Sequence, residues 1–183
     1  MKKFTLGQIK ENIQQFSTGI HGFINFFHRL MQKTLVLIKP SAIQRHLVGE
    51  VVSRFEKKGL QIVGFKMMNL SDETLQIHYA HLVTRPFFKR IKDSMQVTPI
   101  FALALKGLDA VEVVRKMSGE TLGREAEPGT IRGDFSMSIQ ENIVHTSDSP
   151  ENAQIELNRF FNEDEIFEYQ PLLFSHLYAN DEF

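Results

Sequence analysis

The chain has 183 residues, which is enough for one domain with a sizeable core. Its 21 lysines and arginines nearly balance its 22 aspartates and glutamates, and this balance excludes a partner held mainly by bulk charge, such as DNA or an anionic membrane. The chain has no cysteine, which excludes disulfides, thiolate catalysis and cysteine-based zinc sites and fits a cytoplasmic location.

The first 32 residues differ in pattern from the rest, with basic residues early and phenylalanines late. They lack a continuous apolar core and an A-x-A cleavage site, so a signal peptide fits poorly, and no apolar run approaches the length of a transmembrane helix. Three interpretations stay open: a loose amphipathic helix, a targeting or membrane-touching arm, or a start codon assigned too early, since Met31 directly precedes a clean strand. We predict an extension of unknown role at 1–32 and a single domain at 33–183.

Apolar periodicity and turn residues predict an alternation of strands and helices along the domain. In chain order the elements are a strand at 34–39 (TLVLIK), a helix from 47 to a C-cap at Gly59, a strand at 60–70, helices at 71–82 and 87–95, a strand at 99–107, a helix at 109–119, a loop at 120–135 (ETLGREAEPGTIRGDF), a strand at 142–145 (NIVH) and a helix at 150–161. Ser71 and Ser149 are predicted helix caps, and Asp109 with Glu112 has capping-box spacing. This order predicts an α+β fold, a ferredoxin-like βαββαβ sandwich with an antiparallel four-stranded sheet and a long ordered loop before the last strand.

His145, at the end of the last predicted strand, is a candidate nucleophile. An imidazole can attack at neutral pH if one ring nitrogen is free and an acceptor fixes the tautomer through the other. The acceptors close in sequence are Ser147, Asp148, Ser149 and Glu156. A histidine that merely satisfies its hydrogen bonds at a strand end is the alternative.

Three cations and two aromatic side chains could accompany that histidine. Lys39 ends an apolar strand, and Arg115, Thr121 and Arg132 lie on or beside the long loop, where guanidinium groups could clamp a polyphosphate. Tyr79 and Phe87 could stack beside a base, whereas Phe88 is better explained as core. Solvated lysines, surface salt bridges and core packing are the alternatives. The chain has neither a Walker A loop nor a dinucleotide-binding fingerprint, but this inventory suits phosphoryl transfer.

Five motifs occur in a fixed order: TLVLIKP, HYA, RPFF, PGTIRGDF and NIVH-x-SDS. With these motifs the chain resembles the nucleoside diphosphate kinase family from Lys33 to about Tyr169. The resemblance implies that His145 takes the γ-phosphate from a nucleoside triphosphate, chiefly ATP, and passes it to a nucleoside diphosphate in a ping-pong cycle through a phosphohistidine. It assigns the phosphates to Lys39, Tyr79, Arg115, Thr121 and Arg132, the sugar to Lys39 and Asn142, the two faces of the base to Phe87 and Ile139, and support of the histidine to Ser147 and Glu156.

The same resemblance implies a cofactor and an assembly. Mg²⁺ would arrive bridging the nucleotide phosphates, with Asp148 as the nearest protein group. A homo-oligomer, either a tetramer or a hexamer, is expected, and no nucleic acid or membrane partner is expected. Because a base between Phe87 and Ile139 is held by its faces, both purine and pyrimidine nucleotides should be accepted.

Two residues depart from the family pattern. Thr146 stands where glycine usually follows the histidine, and a β-branched residue disfavours a positive φ there. Ser41 stands where aspartate usually follows the Lys-Pro pair, which removes a charge near Lys39. Two other functions remain as alternatives: a nucleotide-binding or regulatory module that has lost turnover, and a DNA-binding protein, which the balanced charge disfavours.

Overall fold

A single antiparallel sheet organises the chain, seen in a computed structural model that describes residues 31–172, 174–179 and 182. Its strands are β1 Met31–Ile38, β2 Gln61–Met68, β3 Ile100–Leu108 and β4 Val144–Thr146. They lie in the order β2-β3-β1-β4, with every neighbouring pair antiparallel. This is the strand order of a ferredoxin-like sandwich, so the predicted fold is confirmed.

Helices cover both faces of the sheet. They are α1 Pro40–Gln44, α2 Val48–Lys58, α3 Asp72–His78, α4 Phe88–Met95, α5 Ala110–Ser118, α6 Ile131–Phe135 and α7 Pro150–Phe160. Phe55 of α2 is buried with Val36 of β1 on one face, and Leu75 of α3 is buried with Leu35 on the other, because successive strand residues point to opposite faces. No helix within the described ranges is long and apolar enough to cross a membrane.

Residues 1–30 of the predicted extension at 1–32 lie outside the described part of the chain. Its last two residues, Met31 and Gln32, belong to β1. Strand β1 therefore begins three residues earlier than predicted, and Gln32 pairs with Gly107 of β3.

Several predicted helix ends are confirmed and one is wrong. Ser71 accepts a hydrogen bond from the Thr74 amide at the start of α3, and Ser149 accepts one from the Asn152 amide at the start of α7. Asp109 precedes α5 but forms no capping box: its backbone is left-handed, with φ 46°, and its side chain makes no capping hydrogen bond. A capping side chain normally belongs to a residue with extended backbone, which Asp109 does not have.

The segment 120–135 was predicted to be a loop throughout. This is wrong for its last five residues, which form α6. The hydroxyl of Thr130 caps this helix by accepting a hydrogen bond from the Gly133 amide at 3.1 Å. The helix is too short to show a 3.6-residue periodicity, and Gly129 before it and Gly133 within it favour a loop assignment. The same difficulty hid α1, which starts with Pro40 at its first position.

The last strand, β4, carries the key histidine on the face of α3 and α7. His145 pairs with Leu37 of β1, and Val144 beside it points into the opposite cluster. Ile143, just before the strand, has φ 71°, and the Val144 amide donates to the Asn142 carbonyl at 2.8 Å. This tight three-residue turn is strained for a β-branched residue and delays the strand to 144–146 instead of the predicted 142–145.

Candidate active site

Almost all of the predicted site residues line one cavity of about 720 Å³. Those on its wall are Lys39, Tyr79, Phe87, Arg115, Thr121, Arg132, Ile139, Asn142, His145, Asp148 and Glu156. Ser147 does not reach the wall but contacts Glu156 from behind. Residues more than a hundred positions apart thus meet at the end of β1 and β4.

Glu156 on α7 holds His145 by one ring nitrogen. The Glu156 Oε1 lies 3.0 Å from Nε2 of the imidazole, and the Ser147 hydroxyl donates to Oε2 at 2.5 Å. An ionised carboxylate only accepts, so Nε2 carries the proton and Nδ1 keeps its lone pair. Nδ1 makes no hydrogen bond within the described part of the chain, and the side chain of His145 is 22% exposed. Of the four acceptors close in sequence, Glu156 is therefore the one that orients the ring.

The Glu156 carboxylate stays ionised despite its burial. Burial alone would raise its pKa, but the hydrogen bond and charge of His145, followed by the hydrogen bond from Ser147, bring the pKa down to about 2. The Glu156 carboxylate is therefore a permanent negative charge behind the imidazole.

His78, which was not among the predicted site residues, packs edge-on against His145. The two ring centroids lie 4.4 Å apart, and Nδ1 of His78 lies 3.1 Å from a guanidinium nitrogen of Arg159 and 3.7 Å from Glu156 Oε1. Burial, followed by the charge of His145, lowers the pKa of His78 to about 3, so its ring is neutral. Its place beside Tyr79 in the HYA motif was the available signal, but the proximity of α3 to α7 is not visible in sequence.

His78, His145 and Glu156 together have the spacing of a metal site, since their ligand atoms lie within 4.8 Å of one another. The guanidinium of Arg159 already lies against His78 and opposes a cation at this point. The cluster is better explained as the support of the His145 ring.

Asn142 ties Lys39 to the two loops that form the cavity mouth. Its side-chain oxygen accepts from the Lys39 ammonium at 2.6 Å, and its amide donates to the carbonyls of Thr121 and Ile139, each at 2.9 Å. Burial and then the charge of Arg132 lower the pKa of Lys39 to about 8. Ser41 takes no part in holding the lysine, because its buried hydroxyl has no hydrogen-bond partner among the described residues.

The two arginines differ in how many of their N–H donors remain available for a ligand. Arg132 is 5% exposed and donates to the carbonyls of Gly119, Val144 and Asn142 at 2.6, 2.9 and 3.3 Å. One N–H on each terminal nitrogen of Arg132 makes no hydrogen bond to the described residues and can bind a ligand. Burial, followed by the charge of Arg115, lowers the pKa of Arg132 to about 10. Arg115 is exposed at the cavity and makes no hydrogen bond to the described residues. Such neighbouring cations repel each other until an anion comes between them.

Phe87 and Ile139 are exposed apolar residues that line the cavity. They are 42% and 60% exposed, whereas Phe88 is 8% exposed and belongs to the core as predicted. Tyr79 lies deeper, and burial, together with the charge of Glu156, raises its pKa far above the ordinary value. Its hydroxyl is therefore neutral at working pH.

Thr146 fits the strand in which it lies. Its backbone is extended and does not have the positive φ that would require glycine, and β-branched residues favour this conformation. The side chain is 3% exposed and its hydroxyl has no partner among the described residues. The residue change therefore does not move the imidazole through the backbone.

Comparisons with known proteins agree with this arrangement. The family model "Nucleoside diphosphate kinase" matches residues 32–166. A nucleoside diphosphate kinase of Parabacteroides distasonis is 61% identical over 153 residues, covering 84% of this chain and 100% of the relative, and one of Rhodopirellula baltica is 48% identical over 83% of this chain and 100% of that protein. The solved structure of a halophilic nucleoside diphosphate kinase from Halobacterium salinarum in complex with CDP superposes with a TM-score of 0.78 at 36% identity, covering 80% of this chain and 98% of that one.

The matched segment spans all four strands except Met31 and includes every predicted site residue, from Lys39 to Glu156. The chain therefore belongs to the nucleoside diphosphate kinase family of nucleotide phosphotransferases.

Proposed function

We propose that the protein transfers the γ-phosphate of a nucleoside triphosphate to a nucleoside diphosphate through a phosphohistidine at Nδ1 of His145. The observation that carries this proposal is the Glu156 Oε1–His145 Nε2 contact of 3.0 Å, which leaves Nδ1 as the nitrogen with a lone pair, on a side chain that lines the cavity. A histidine that only satisfied a strand end would have no need of a buried carboxylate with a pKa of about 2.

The reaction has two displacements with balanced electrons. The Nδ1 lone pair forms a bond to the γ-phosphorus while the bond from that phosphorus to the β–γ bridging oxygen breaks, and the nucleoside diphosphate leaves with those electrons. A β-phosphate oxygen of a second nucleoside diphosphate then attacks the same phosphorus, and the P–N bond breaks. The Glu156 carboxylate offsets the positive charge that the imidazole gains in each displacement.

The cations of the cavity would neutralise the phosphates. Arg115, the two unused N–H groups of Arg132 and the Lys39 ammonium supply donors for phosphate oxygens, and the Tyr79 and Thr121 hydroxyls supply neutral ones. Since the depressed pKa values of Lys39 and Arg132 reflect burial and mutual repulsion, an incoming polyphosphate relieves both. Asn142 has its side-chain oxygen and both amide hydrogens engaged, so it would act on the sugar mainly by holding Lys39.

Mg²⁺ fits this cavity as an ion carried by the nucleotide. The wall holds two carboxylates, and Glu156 is committed to His145 and Ser147, so Asp148 alone could contribute to a metal. Magnesium keeps several waters and binds one or two carboxylates together with substrate phosphates, which suits such a sparse donor set. Bound there, it would supply charge neutralisation at the phosphate oxygens.

The same geometry supports a broad base specificity. Phe87 and Ile139 offer two apolar surfaces at the mouth, and every nucleobase presents a flat face to such surfaces. We also propose, from the family resemblance, that ATP is the main donor and that the protein works in the cytoplasm.

The relay can be tested by a pulse and chase. The protein is mixed with Mg²⁺ and γ-labelled ATP, free nucleotide is removed, and unlabelled GDP is added. We expect an acid-labile label on the protein that moves to GTP, and no label on a His145→Ala variant. A His46→Asn variant, which changes an exposed histidine outside the cavity wall, is the matched control and should behave as the original protein.

The opposite outcome has a definite meaning. If the original protein binds ATP without becoming labelled, the site is a nucleotide-binding module without turnover. If a label persists in His145→Ala, another residue is the acceptor. Either result would overturn the relay.

A further inference from the structure

Arg90 and Gln140 form a polar bridge across the cavity mouth. The Arg90 Nε donates to the Gln140 side-chain oxygen at 2.8 Å, and the Gln140 amide reaches back to the Arg90 carbonyl at 3.4 Å. A second contact runs beside it, from the Ser94 hydroxyl to Glu141 Oε1 at 2.6 Å. The two contacts join α4 to the loop 138–142 at the mouth of the cavity.

This bridge lies next to the two apolar surfaces proposed for the base. Arg90 is one helical turn after Phe87, so the two side chains lie on the same side of α4, and Gln140 directly follows Ile139. All four residues line the same cavity. A base between Phe87 and Ile139 would therefore present one of its edges to Arg90.

The guanidinium of Arg90 is oriented but only partly used. The bond to Gln140 engages Nε, and neither terminal nitrogen makes a hydrogen bond to any part of the chain that the structure describes. The Gln140 amide is in turn held by Glu141 Oε1 at 3.1 Å, which limits the freedom of the bridge. A fixed fork of donors therefore remains on a side chain that lines the cavity together with Phe87 and Ile139.

Nucleobases differ in what they offer such a fork. Guanine carries two adjacent acceptors, O6 and N7, and binds an arginine with two hydrogen bonds. Adenine places an amino donor beside N7, and cytosine places an amino donor where guanine has O6, so each opposes the fork. We propose that Arg90 is a specificity-determining residue that favours guanine nucleotides, with Gln140 as the residue that positions it.

This inference rests on the proposed function for the location of the base, and it refines broad specificity without removing it. Because the bridge is exposed to solvent, we expect roughly a fivefold preference, at the low end of what an arginine–guanine pair contributes. The face contacts with Phe87 and Ile139 still admit every base.

The test measures nucleotide binding by titration calorimetry, so it does not require turnover. We expect GDP and IDP, which share O6 and N7, to bind roughly fivefold more tightly than ADP, and 7-deaza-GDP to lose most of that advantage. In Arg90→Ala and in Arg90→Lys, which keeps the charge but loses the fork, GDP should fall to the level of ADP while ADP binding changes little. Lys89→Ala is the matched control, since this neighbour pairs with Asp93 and does not line the cavity.

Three results would overturn the inference: equal binding of GDP and ADP by the original protein, parallel losses for both nucleotides in Arg90→Ala, or an undiminished GDP advantage in Arg90→Lys. A failed pulse and chase with the guanine advantage intact would instead contradict only the proposed relay. Normal phosphotransfer without any guanine advantage would leave the proposed function standing and reject the role of Arg90.

Discussion

At the scale of single residues, the site depends on how Glu156 remains charged in a largely buried position. Its two carboxylate oxygens are divided between two donors, the imidazole of His145 on one side and the hydroxyl of Ser147 on the other. A buried charge that is paired and hydrogen-bonded avoids most of its desolvation cost. The arrangement fixes the tautomer of His145 and, in the proposed relay, holds a counter-charge ready without any proton transfer.

The neutral ring of His78 gives the protein a measurable pH dependence. The pKa of His78 falls from 6.5 in the unfolded chain to about 3 in the folded one, so between these values the unfolded chain binds the additional proton. The contribution of His78 to the free energy of unfolding should therefore be complete above pH 6.5. It should decline as the pH falls towards 3, by up to about 1.4 kcal/mol for each pKa unit.

A His78→Gln variant tests this prediction, because glutamine does not titrate. Urea unfolding at a series of pH values should show a flatter dependence between pH 6.5 and 4 than in the original protein, whatever the absolute stability of the variant. His81→Gln, which changes an exposed histidine, should keep the original slope. Identical slopes for the original protein and His78→Gln would mean that His78 does not drive the pH dependence.

At the scale of elements, the segment 119–135 positions Arg132 through close backbone contacts. A Cβ on Gly133 would lie 2.0 Å from the Glu127 carbonyl oxygen, whereas one on Gly129 would meet nothing within 4 Å. Gly129 instead has φ +90°, which costs an L-residue about 1 kcal/mol of strain. Gly133 is thus required by close packing, whereas Gly129 is required by its backbone conformation.

We predict that Gly133→Ala lowers the free energy of unfolding by more than about 2 kcal/mol and raises the KM for nucleotide, because α6 must shift and carry Arg132 with it. Gly129→Ala should cost about 1 kcal/mol and leave KM nearly unchanged. Urea unfolding and steady-state kinetics of both variants measure these effects. Equal KM values in the two variants would show that α6 does not control the position of the arginine.

The elements also show which parts of the structure could be predicted from the sequence alone. The three long strands and the helices with an amphipathic face were predictable, because burial on a strand or a helix imposes a period on the apolar residues. Helix α6 and the left-handed Asp109 were not, because both depend on local contacts that leave no period. In the site, Lys39 and His145 were predicted from their positions at the ends of apolar strands, whereas Arg159 was missed because its partner, His78, lies 81 positions away.

At the scale of the whole molecule, strand β2 has apolar side chains at one edge of the sheet that no described residue covers fully. Phe65 and Met67 are 46% and 52% exposed. The C-terminal segment covers only part of this strand, through a hydrogen bond from the Phe167 amide to the Val63 carbonyl at 2.7 Å. An open edge strand with exposed apolar side chains favours association with another chain.

We therefore predict a homo-oligomer, a tetramer or a hexamer, in which the exposed side chains of β2 are covered by another copy. Light scattering after size exclusion should give a mass several times that of one chain. Met67→Lys should lower that mass, since a buried charge without a partner opposes association, whereas Val83→Lys, at another exposed apolar position, should not. A monomer at all protein concentrations would contradict assembly itself, and an unchanged oligomer in Met67→Lys would mean that the interface lies elsewhere.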